Sequence, residues 1–112
     1  MKRVDAIVRT SRFDKVSAAL AAIDVPFFTF FEVTGFGEQR EKARMYRGNR
    51  YDVDYLKRTK LEILATDEDV AKIIDCILEH AYTGEVGDGK ISVLPVESVY
   101  RIRTREQGKD AL

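Results

Sequence analysis

The stretch Thr83-Gly84-Glu85-Val86-Gly87-Asp88-Gly89-Lys90 joins a predicted helix to a predicted strand. Its glycines allow positive φ and let the backbone approach a ligand closely. Successive backbone N–H groups in such a turn can form a concave anion site, and Lys90 adds a cation at the exit. The stretch therefore indicates a diphosphate or triphosphate site, although it is not the G-x-x-x-x-G-K-[ST] phosphate loop.

Two further cations, Arg101 and Arg103, follow the next strand and are separated by one apolar residue. If that segment is extended, both side chains point the same way and converge with Lys90 on one place. The alternative is a plain helix-to-strand connection with two solvated arginines. The residues of this stretch leave both interpretations open.

The composition is that of an ordinary globular domain, with 112 residues, 45% hydrophobic and 34% charged. A single domain of this length has a modest core, so oligomerisation would help to bury apolar surface. A formal net charge of zero argues against bulk electrostatic binding to nucleic acid or to an anionic membrane. One cysteine and a start without an apolar region predict a cytoplasmic protein.

Hydrophobic periodicity predicts the order β-α-β-β-α-β. The expected strands are residues 4–9, 27–37, 58–65 and 91–95, the expected helices are 13–23 and 66–81, and 99–103 reads as a last extended segment. This order predicts an α+β, ferredoxin-like domain over residues 1–112, with an antiparallel sheet and both helices on one face. The aromatic load of residues 27–37 on both faces favours a central strand, or one face given to a partner subunit. The uncovered sheet face therefore predicts a closed homo-oligomer with its sheets turned inward.

Residues 38–57 are intensely charged and have neither a helical stripe nor strand alternation. A loop of this length in so small a domain is usually functional or disordered, so we expect a mobile arm that orders on meeting a partner. Residues 104–112 are polar and predict a flexible tail.

Four segments carry a family resemblance: Glu32-Val33-x-Gly35-Phe36-Gly37-x-Gln39, Tyr46-Arg47-Gly48-x-x-Tyr51, the stretch 83–91, and Arg101-Ile102-Arg103-Thr104. In this order they resemble the P-II family of nitrogen-regulatory signalling proteins, and the resemblance covers nearly the whole chain. It implies a compact homotrimer, a protruding T-loop at residues 38–57, and ATP or ADP bound between subunits. It also implies a non-enzymatic sensor.

The resemblance implies a nucleotide site in which the turn 82–90 cradles the phosphates and Arg101 and Arg103 reach them. The adenine end would be lined by Thr29, Glu62 and Leu64. The full set of implied nucleotide-binding residues is Thr29, Gly37, Glu38, Gln39, Glu62, Leu64, Thr83, Gly87, Asp88, Gly89, Lys90, Arg101, Ile102 and Arg103.

Relatives sense 2-oxoglutarate through Mg²⁺ that bridges the ATP phosphates, with a glutamine at the position of Gln39 as a protein ligand. Magnesium suits such a site because it prefers oxygen ligands and keeps substrate phosphates around it. The implied effector residues are Gly37, Gln39, Arg58 and Gly87. Tyr51 matches a tyrosine that is uridylylated in many relatives.

The chain departs from the family pattern around the effector pocket. Arg58 replaces a lysine that pairs with the 2-oxoglutarate carboxylate, and this exchange is not conservative. Glu38 stands where an arginine is common, Phe27 where a small residue is usual, and Thr10 where a proline is usual. We therefore expect nucleotide binding to be retained and 2-oxoglutarate sensing to be weakened or altered.

The expected function is an energy and nitrogen sensor whose arm regulates an ammonium or other transporter, or an enzyme. Contact with a membrane would come only through a transporter, and no nucleic acid is expected. Two alternatives are slow ATP hydrolysis at the same cleft and an RNA-binding ferredoxin-like domain, which Thr34-Gly35-Phe36-Gly37 faintly suggests. A third is a trimeric metal-tolerance protein of the same architecture.

Overall fold

The computed structural model describes residues 1–25, 27–38 and 53–112, with the backbone alone at 37, 38, 53 and 54. Its strands form one antiparallel sheet in the order β2-β3-β1-β4 and are β1 (Lys2–Arg9), β2 (Thr29–Glu38), β3 (Val53–Ala65) and β4 (Ile91–Pro95). Its helices are α1 (Phe13–Ala22) and α2 (Val70–Ala81), each entered through a short 3-10 turn. The expected ferredoxin-like α+β fold is confirmed.

One face of the sheet packs against both helices and forms the core. Side chains alternate between faces along a strand, so Val4, Ala6 and Val8 of β1 all point to the helices and are buried. They meet the inward residues of the neighbouring elements: Leu61 and Ile63 of β3, Val16 and Leu20 of α1, Ile73 and Ile77 of α2. Burying each large aliphatic side chain contributes about 1.5–3 kcal/mol, which makes this layer the main source of stability.

The opposite face of the sheet, which we call the bare face, is covered by neither helix. At its centre Asp5 is only 6% exposed although it is charged. Arg3 donates two hydrogen bonds to the Asp5 carboxylate, at 2.8 and 2.9 Å, and the Lys60 ammonium lies 3.7 Å from it. Lys60 also lies 3.7 Å from Glu62. The centre of the bare face is therefore a network of paired charges.

Of the two interpretations of the second strand, a central position is wrong, because β2 lies at the edge of the sheet. Its aromatic residues serve two surfaces. Phe30 is opposite the buried Leu61 and packs on Phe13 of α1, with ring centres 4.5 Å apart. Phe31 lies on the bare face, with the Lys60 ammonium 5.8 Å from its ring centre. An edge strand can therefore carry apolar residues on both faces while only one face joins the core.

The hairpin of β2 and β3 is longer than the sequence predicts. Residues 53–57, assigned above to the arm, pair with β2, and Phe36 contacts Tyr55 across the ladder with ring centres 5.9 Å apart. The rest of the arm, residues 39–52, lies outside the described residues. Within the described ranges, neither helix has the length and apolar content needed to cross a membrane.

The segment 99–103 does not form the extended strand expected above. Tyr100 makes a single bridge to Gln107, and the chain reverses between them, with Arg105 at a φ of 64°. The Arg101 N–H donates to Glu106 O at 2.9 Å, and a 3-10 helix, Gly108–Ala111, follows. Arg101 and Arg103 are therefore not alternate residues on one face of a strand. The end expected to be a flexible tail forms this turn and helix.

Gly89 gives a test of how closely the turn approaches β1. A Cβ at this position would overlap the backbone carbonyl of Ile7, next to the 2.9 Å bond from Ile7 N–H to Lys90 O. We expect Gly89→Ala to lower the free energy of unfolding by about 1–3 kcal/mol, since backbone cannot yield as a flexible side chain does. The measurement is urea denaturation at one fixed protein concentration.

The matched control is Gly35→Ala in β2, where an added Cβ meets its nearest atom at an ordinary 3.8 Å. We expect this variant to change stability little. Equal stability of the two variants would contradict the close approach of Gly89 to Ile7.

Candidate functional site

The Asp88 carboxylate closes the glycine turn from inside. It accepts hydrogen bonds from the Thr83 hydroxyl at 2.6 Å, the Thr83 N–H at 2.9 Å and the Gly84 N–H at 3.0 Å. The Arg9 Nε donates to the same carboxylate at 2.8 Å. The Thr83 hydroxyl, then Arg9 and the backbone donors, hold the pKa of Asp88 far below its usual range. Asp88 therefore shapes the turn as an ionised internal acceptor.

Gly87 is required at its position for two reasons. Its φ of 111° lies in a region that other residues rarely adopt. A Cβ there would also lie 3.0 Å from Arg9 Nη2 and 3.1 Å from Arg58 Nη2. The two guanidinium groups therefore sit against the turn at its most constrained residue.

The turn keeps several backbone donors available. The N–H groups of Thr83, Gly84, Glu85 and Asp88 are used by acceptors within the turn. Elsewhere in the turn, four N–H groups donate to no acceptor in the described part of the chain: those of Val86, Gly87, Gly89 and Lys90. The Lys90 side chain is exposed. This set of unused donors beside a cation is the chemistry that an oxyanion requires.

Two arginines on neighbouring strands hold the carbonyl groups of the turn. Arg9 and Arg58 are opposite each other in the register of β1 and β3. Arg9 Nη2 donates to Val86 O at 3.0 Å, while Arg58 donates to Gly87 O from Nε at 3.3 Å and from Nη2 at 3.1 Å. Arg58 Nη1 also donates to Lys57 O at 2.9 Å. From sequence, only Arg58 of this pair is predicted at a site; Arg9 is not, and its register with β3 is the signal that would have identified it.

The residues expected at the adenine end form a separate group. Thr29 and Glu62 are paired in the register of β2 and β3, and with Leu64 they line a cavity of about 510 Å³. Glu62 lies four residues along β3 from Arg58, about 13 Å at the usual rise of a strand. The turn borders a different cavity of about 390 Å³, floored by Ile77 and Ala81 of α2. Within one chain, the two groups of expected site residues line different cavities.

The segment 101–103 also lies apart from the turn. Arg101 Nη2 donates to Leu112 O at 2.7 Å, and its Nε is 3.9 Å from the Glu106 carboxylate. Ile102 is 96% exposed, the most exposed of the large apolar residues described. Among the hydrogen bonds and ion pairs of the described residues, none joins Arg101 or Arg103 to the turn 82–90. The structure therefore does not bring these cations to Lys90 within one chain.

The structure does not describe the side chains of three expected site residues. Gln39 and Tyr51 lie outside the described residues, and at Glu38 only the backbone, at the end of β2, is described. Gly37 lies one residue earlier in β2, opposite Asp54 in the register. The magnesium ligand, the modification site and part of the effector pocket therefore stay predictions.

The fold and the turn define a ferredoxin-like α+β domain with a glycine-rich, donor-bearing turn that leads from the second helix into the last strand. A family model described as nitrogen regulatory protein P-II matches residues 1–106. The chain belongs to the P-II family.

Full-length relatives support this assignment. The chain is 45% identical to the nitrogen regulatory protein P-II of Pasteurella multocida and 44% identical to that of Nostoc punctiforme, in both cases over 100% of each chain. Among solved structures, it is similar to Arabidopsis thaliana PII bound to citrate, with a TM-score of 0.82 and 39% identity over 99% of this chain and 91% of that one.

Asp88→Asn tests whether the ionised carboxylate closes the turn. A carboxyl whose pKa is lowered on folding contributes stability that is complete above its unfolded pKa, about 4, and is lost as the pH falls through lower values. We therefore expect Asp88→Asn to lower the melting temperature at pH 7. The difference in melting temperature between Asp88→Asn and the parent protein should shrink as the pH falls below the pKa of an unfolded aspartate carboxyl. Melting curves at several pH values make the measurement.

The control is Asp75→Asn, which changes an exposed aspartate on α2. It should move the melting temperature little at any pH. A destabilisation by Asp88→Asn that is equally large at low pH would show that the side-chain shape, and not its charge, closes the turn.

Proposed function

We propose that this chain is a non-enzymatic, cytoplasmic sensor of nitrogen and energy status that binds ATP or ADP between the subunits of a homotrimer. The observation that carries the proposal is the turn 82–90, where four unused backbone N–H groups lie beside the exposed Lys90. Family membership makes a signalling role the natural context for such a site.

The charges around the turn suit a polyphosphate. The guanidinium groups of Arg9 and Arg58 both contact the turn. The Asp88 carboxylate pairs with Arg9. Lys90 adds a further positive charge. An anion that approaches the unused N–H groups therefore meets net positive charge, and charge-assisted hydrogen bonds are about twice as strong as neutral ones.

A site shared between copies follows from the separation of the expected residues. The turn of one subunit lacks contacts to Arg101 and Arg103 of the same chain in the described part, and Ile102 between them is almost fully exposed. A neighbouring copy that supplies the segment 101–103 and the group at Thr29 and Glu62 would complete a nucleotide cleft. In a trimer, the bare faces turned inward would remove exposed apolar residues such as Ile7 and Phe31 from water while Asp5 stays paired with Arg3.

We propose that 2-oxoglutarate sensing is weakened in this protein because the Arg58 guanidinium is already used. It donates twice to Gly87 O and once to Lys57 O. A carboxylate effector bound along the Nε–Nη2 edge would have to replace the bonds to Gly87 O, whereas the lysine of the family pattern presents a single, mobile ammonium. The Arabidopsis relative was solved with citrate. A carboxylate ligand is therefore a reasonable probe for this pocket.

We propose that nucleotide binding is signalled to partners through a change in the arm, within its residues 39–52. ATP and ADP would bias it only by their different affinities for its states, as any population shift requires. With Mg²⁺ the ATP-bound state would engage Gln39, and the arm would then select an ammonium or other transporter, or an enzyme. Modification of Tyr51 would act on the same segment.

The RNA-binding alternative is disfavoured by the bare face. Among the described strand residues there, Phe31 is the one aromatic, and it lies beside Lys60 near the paired charges of Arg3 and Asp5. Recognition of single-stranded RNA on such a sheet uses exposed aromatic rings on which bases stack. No observation favours ATP hydrolysis over reversible nucleotide binding.

Lys90→Ala and Arg101→Ala test the nucleotide site. Each removes one charge-assisted contact to phosphate, worth about 1.5–3 kcal/mol, so we expect ATP affinity to fall roughly 10- to 100-fold. Isothermal titration calorimetry gives the affinity, and light scattering checks that the trimer persists. Lys15→Ala, an exposed lysine on α1, is the control and should bind ATP normally. Unchanged affinity in both site variants would contradict the assignment.

Arg58→Lys tests the effector proposal. Restoring lysine frees Gly87 O from the guanidinium and recovers the family's cation, so ATP-dependent 2-oxoglutarate binding should become tighter than in the parent protein. Calorimetry with Mg²⁺ and ATP present makes the comparison, with citrate as a second carboxylate. Tight, ATP-dependent binding by the parent protein, with no gain in Arg58→Lys, would refute the idea.

A further inference from the structure

Arg9 bridges two acceptors on the turn that no other described side chain joins. Its Nε donates to the Asp88 carboxylate at 2.8 Å, and its Nη2 donates to Val86 O at 3.0 Å. The guanidinium is a rigid, planar fork, so it fixes the spacing of these two acceptors, which a flexible ammonium cannot do. Arg9 thereby connects the last residue of β1 to both ends of the segment 86–88.

The bond to Val86 O also orients an N–H group. In a trans peptide the C=O of one residue and the N–H of the next point in opposite directions. When Val86 O is held toward Arg9, the Gly87 N–H is directed away from Arg9. That N–H is one of the four that donate to no acceptor in the described part of the chain. Arg9 therefore determines where this donor is presented.

Strand pairing alone does not explain an arginine at position 9. It stands opposite Arg58 in the register of β1 and β3, and like charges directly opposite each other are destabilising. The pair is tolerated because three acceptors of the turn lie against it: Val86 O, Gly87 O and the Asp88 carboxylate. Gly87 fits between the two guanidinium groups, where a Cβ would approach both to about the length of a hydrogen bond. The two arginines thus hold the turn in one shape.

We propose that Arg9 is a positioning residue for polyphosphate binding: it fixes the turn so that the Gly87 N–H and its neighbours face the phosphates. The inference rests on the proposed nucleotide site and adds a residue to it. Arg9 acts through the turn and not by touching the base or the ribose. Removing the Arg9 guanidinium should therefore weaken the binding of a ligand in proportion to how much that binding depends on phosphate contacts.

The test compares ATP with adenosine in Arg9→Gln, Arg9→Lys and the parent protein. We expect Arg9→Gln to weaken ATP binding about tenfold or more by calorimetry, as loss of preorganised charge-assisted contacts implies. Adenosine binding, followed by ligand-observed NMR, should be unchanged. Arg9→Lys should be intermediate, since an ammonium can pair with Asp88 but does not reproduce the fork to Val86 O.

The matched control is Arg12→Gln. Arg12 also donates to a carbonyl of the turn, Tyr82 O at 2.7 Å, but this carbonyl precedes residues 86–90, which present the unused donors. The ratio of ATP to adenosine affinity should be that of the parent protein. The inference is overturned if Arg9→Gln binds ATP normally, or if it loses ATP and adenosine binding equally.

A second measurement separates this inference from the proposed function. In nucleotide-free protein, the amide NMR signals of Gly87 and Gly89 should shift and exchange faster with solvent in Arg9→Gln than in Arg12→Gln. If the parent protein binds no ATP, the proposed function fails, and the amide signals still decide whether Arg9 fixes the turn. Identical Gly87 and Gly89 signals in the parent protein and Arg9→Gln would refute the positioning role.

Discussion

The closure of one turn by one carboxylate is the constraint on which the rest of the site depends. The Asp88 carboxylate accepts hydrogen bonds from Thr83 and Gly84 and pairs with Arg9. The chain can therefore pass from α2 into β4 while the N–H groups of Val86, Gly87, Gly89 and Lys90 donate to no acceptor in the described part of the chain. If the carboxylate were absent, those inward donors would need water or would turn outward, and the concave shape would be lost. The unused N–H groups within residues 86–90 are therefore a consequence of satisfied hydrogen bonds on the other side of the same turn.

The sheet contributes by placing two cations where the turn can use them. β1 and β3 end their ladder with Arg9 opposite Arg58, a pair that would be unfavourable in isolation. The same two strands carry the paired charges of Arg3, Asp5, Lys60 and Glu62 at the centre of the bare face. One sheet surface thus has a charge-neutral interior suited to meeting other copies and a positive end suited to an anion. A network that is fully paired can be buried at moderate cost, whereas an unpaired charge cannot.

Much of this could be predicted from sequence because it depends on local pattern. Composition and the 2.0 and 3.6 periodicities predict all four strands and both helices, and the glycines of the turn predict the positive φ that Gly84 and Gly87 adopt. What failed depends on contacts between distant residues. The edge position of β2 is a property of sheet order, and the role of Arg9 requires the register with β3. The segment 99–103 reads as a strand by composition, yet backbone bonds from Arg101 to Glu106 and from Arg105 to Arg101 turn it back on itself.

The position of Arg58 shows how a family pattern and an individual chain can diverge at one site. Membership of the P-II family follows from full-length similarity, but a family assignment does not specify what each side chain is bonded to. Here a guanidinium at position 58 has more donors than an ammonium and uses three of them on Gly87 O and Lys57 O. Two of its five N–H groups remain, but a carboxylate bound along the Nε–Nη2 edge would have to replace the bonds to Gly87 O. The guanidinium at position 58 is therefore part of what holds the turn in this chain, and this role follows from its own contacts and not from its place in the family pattern.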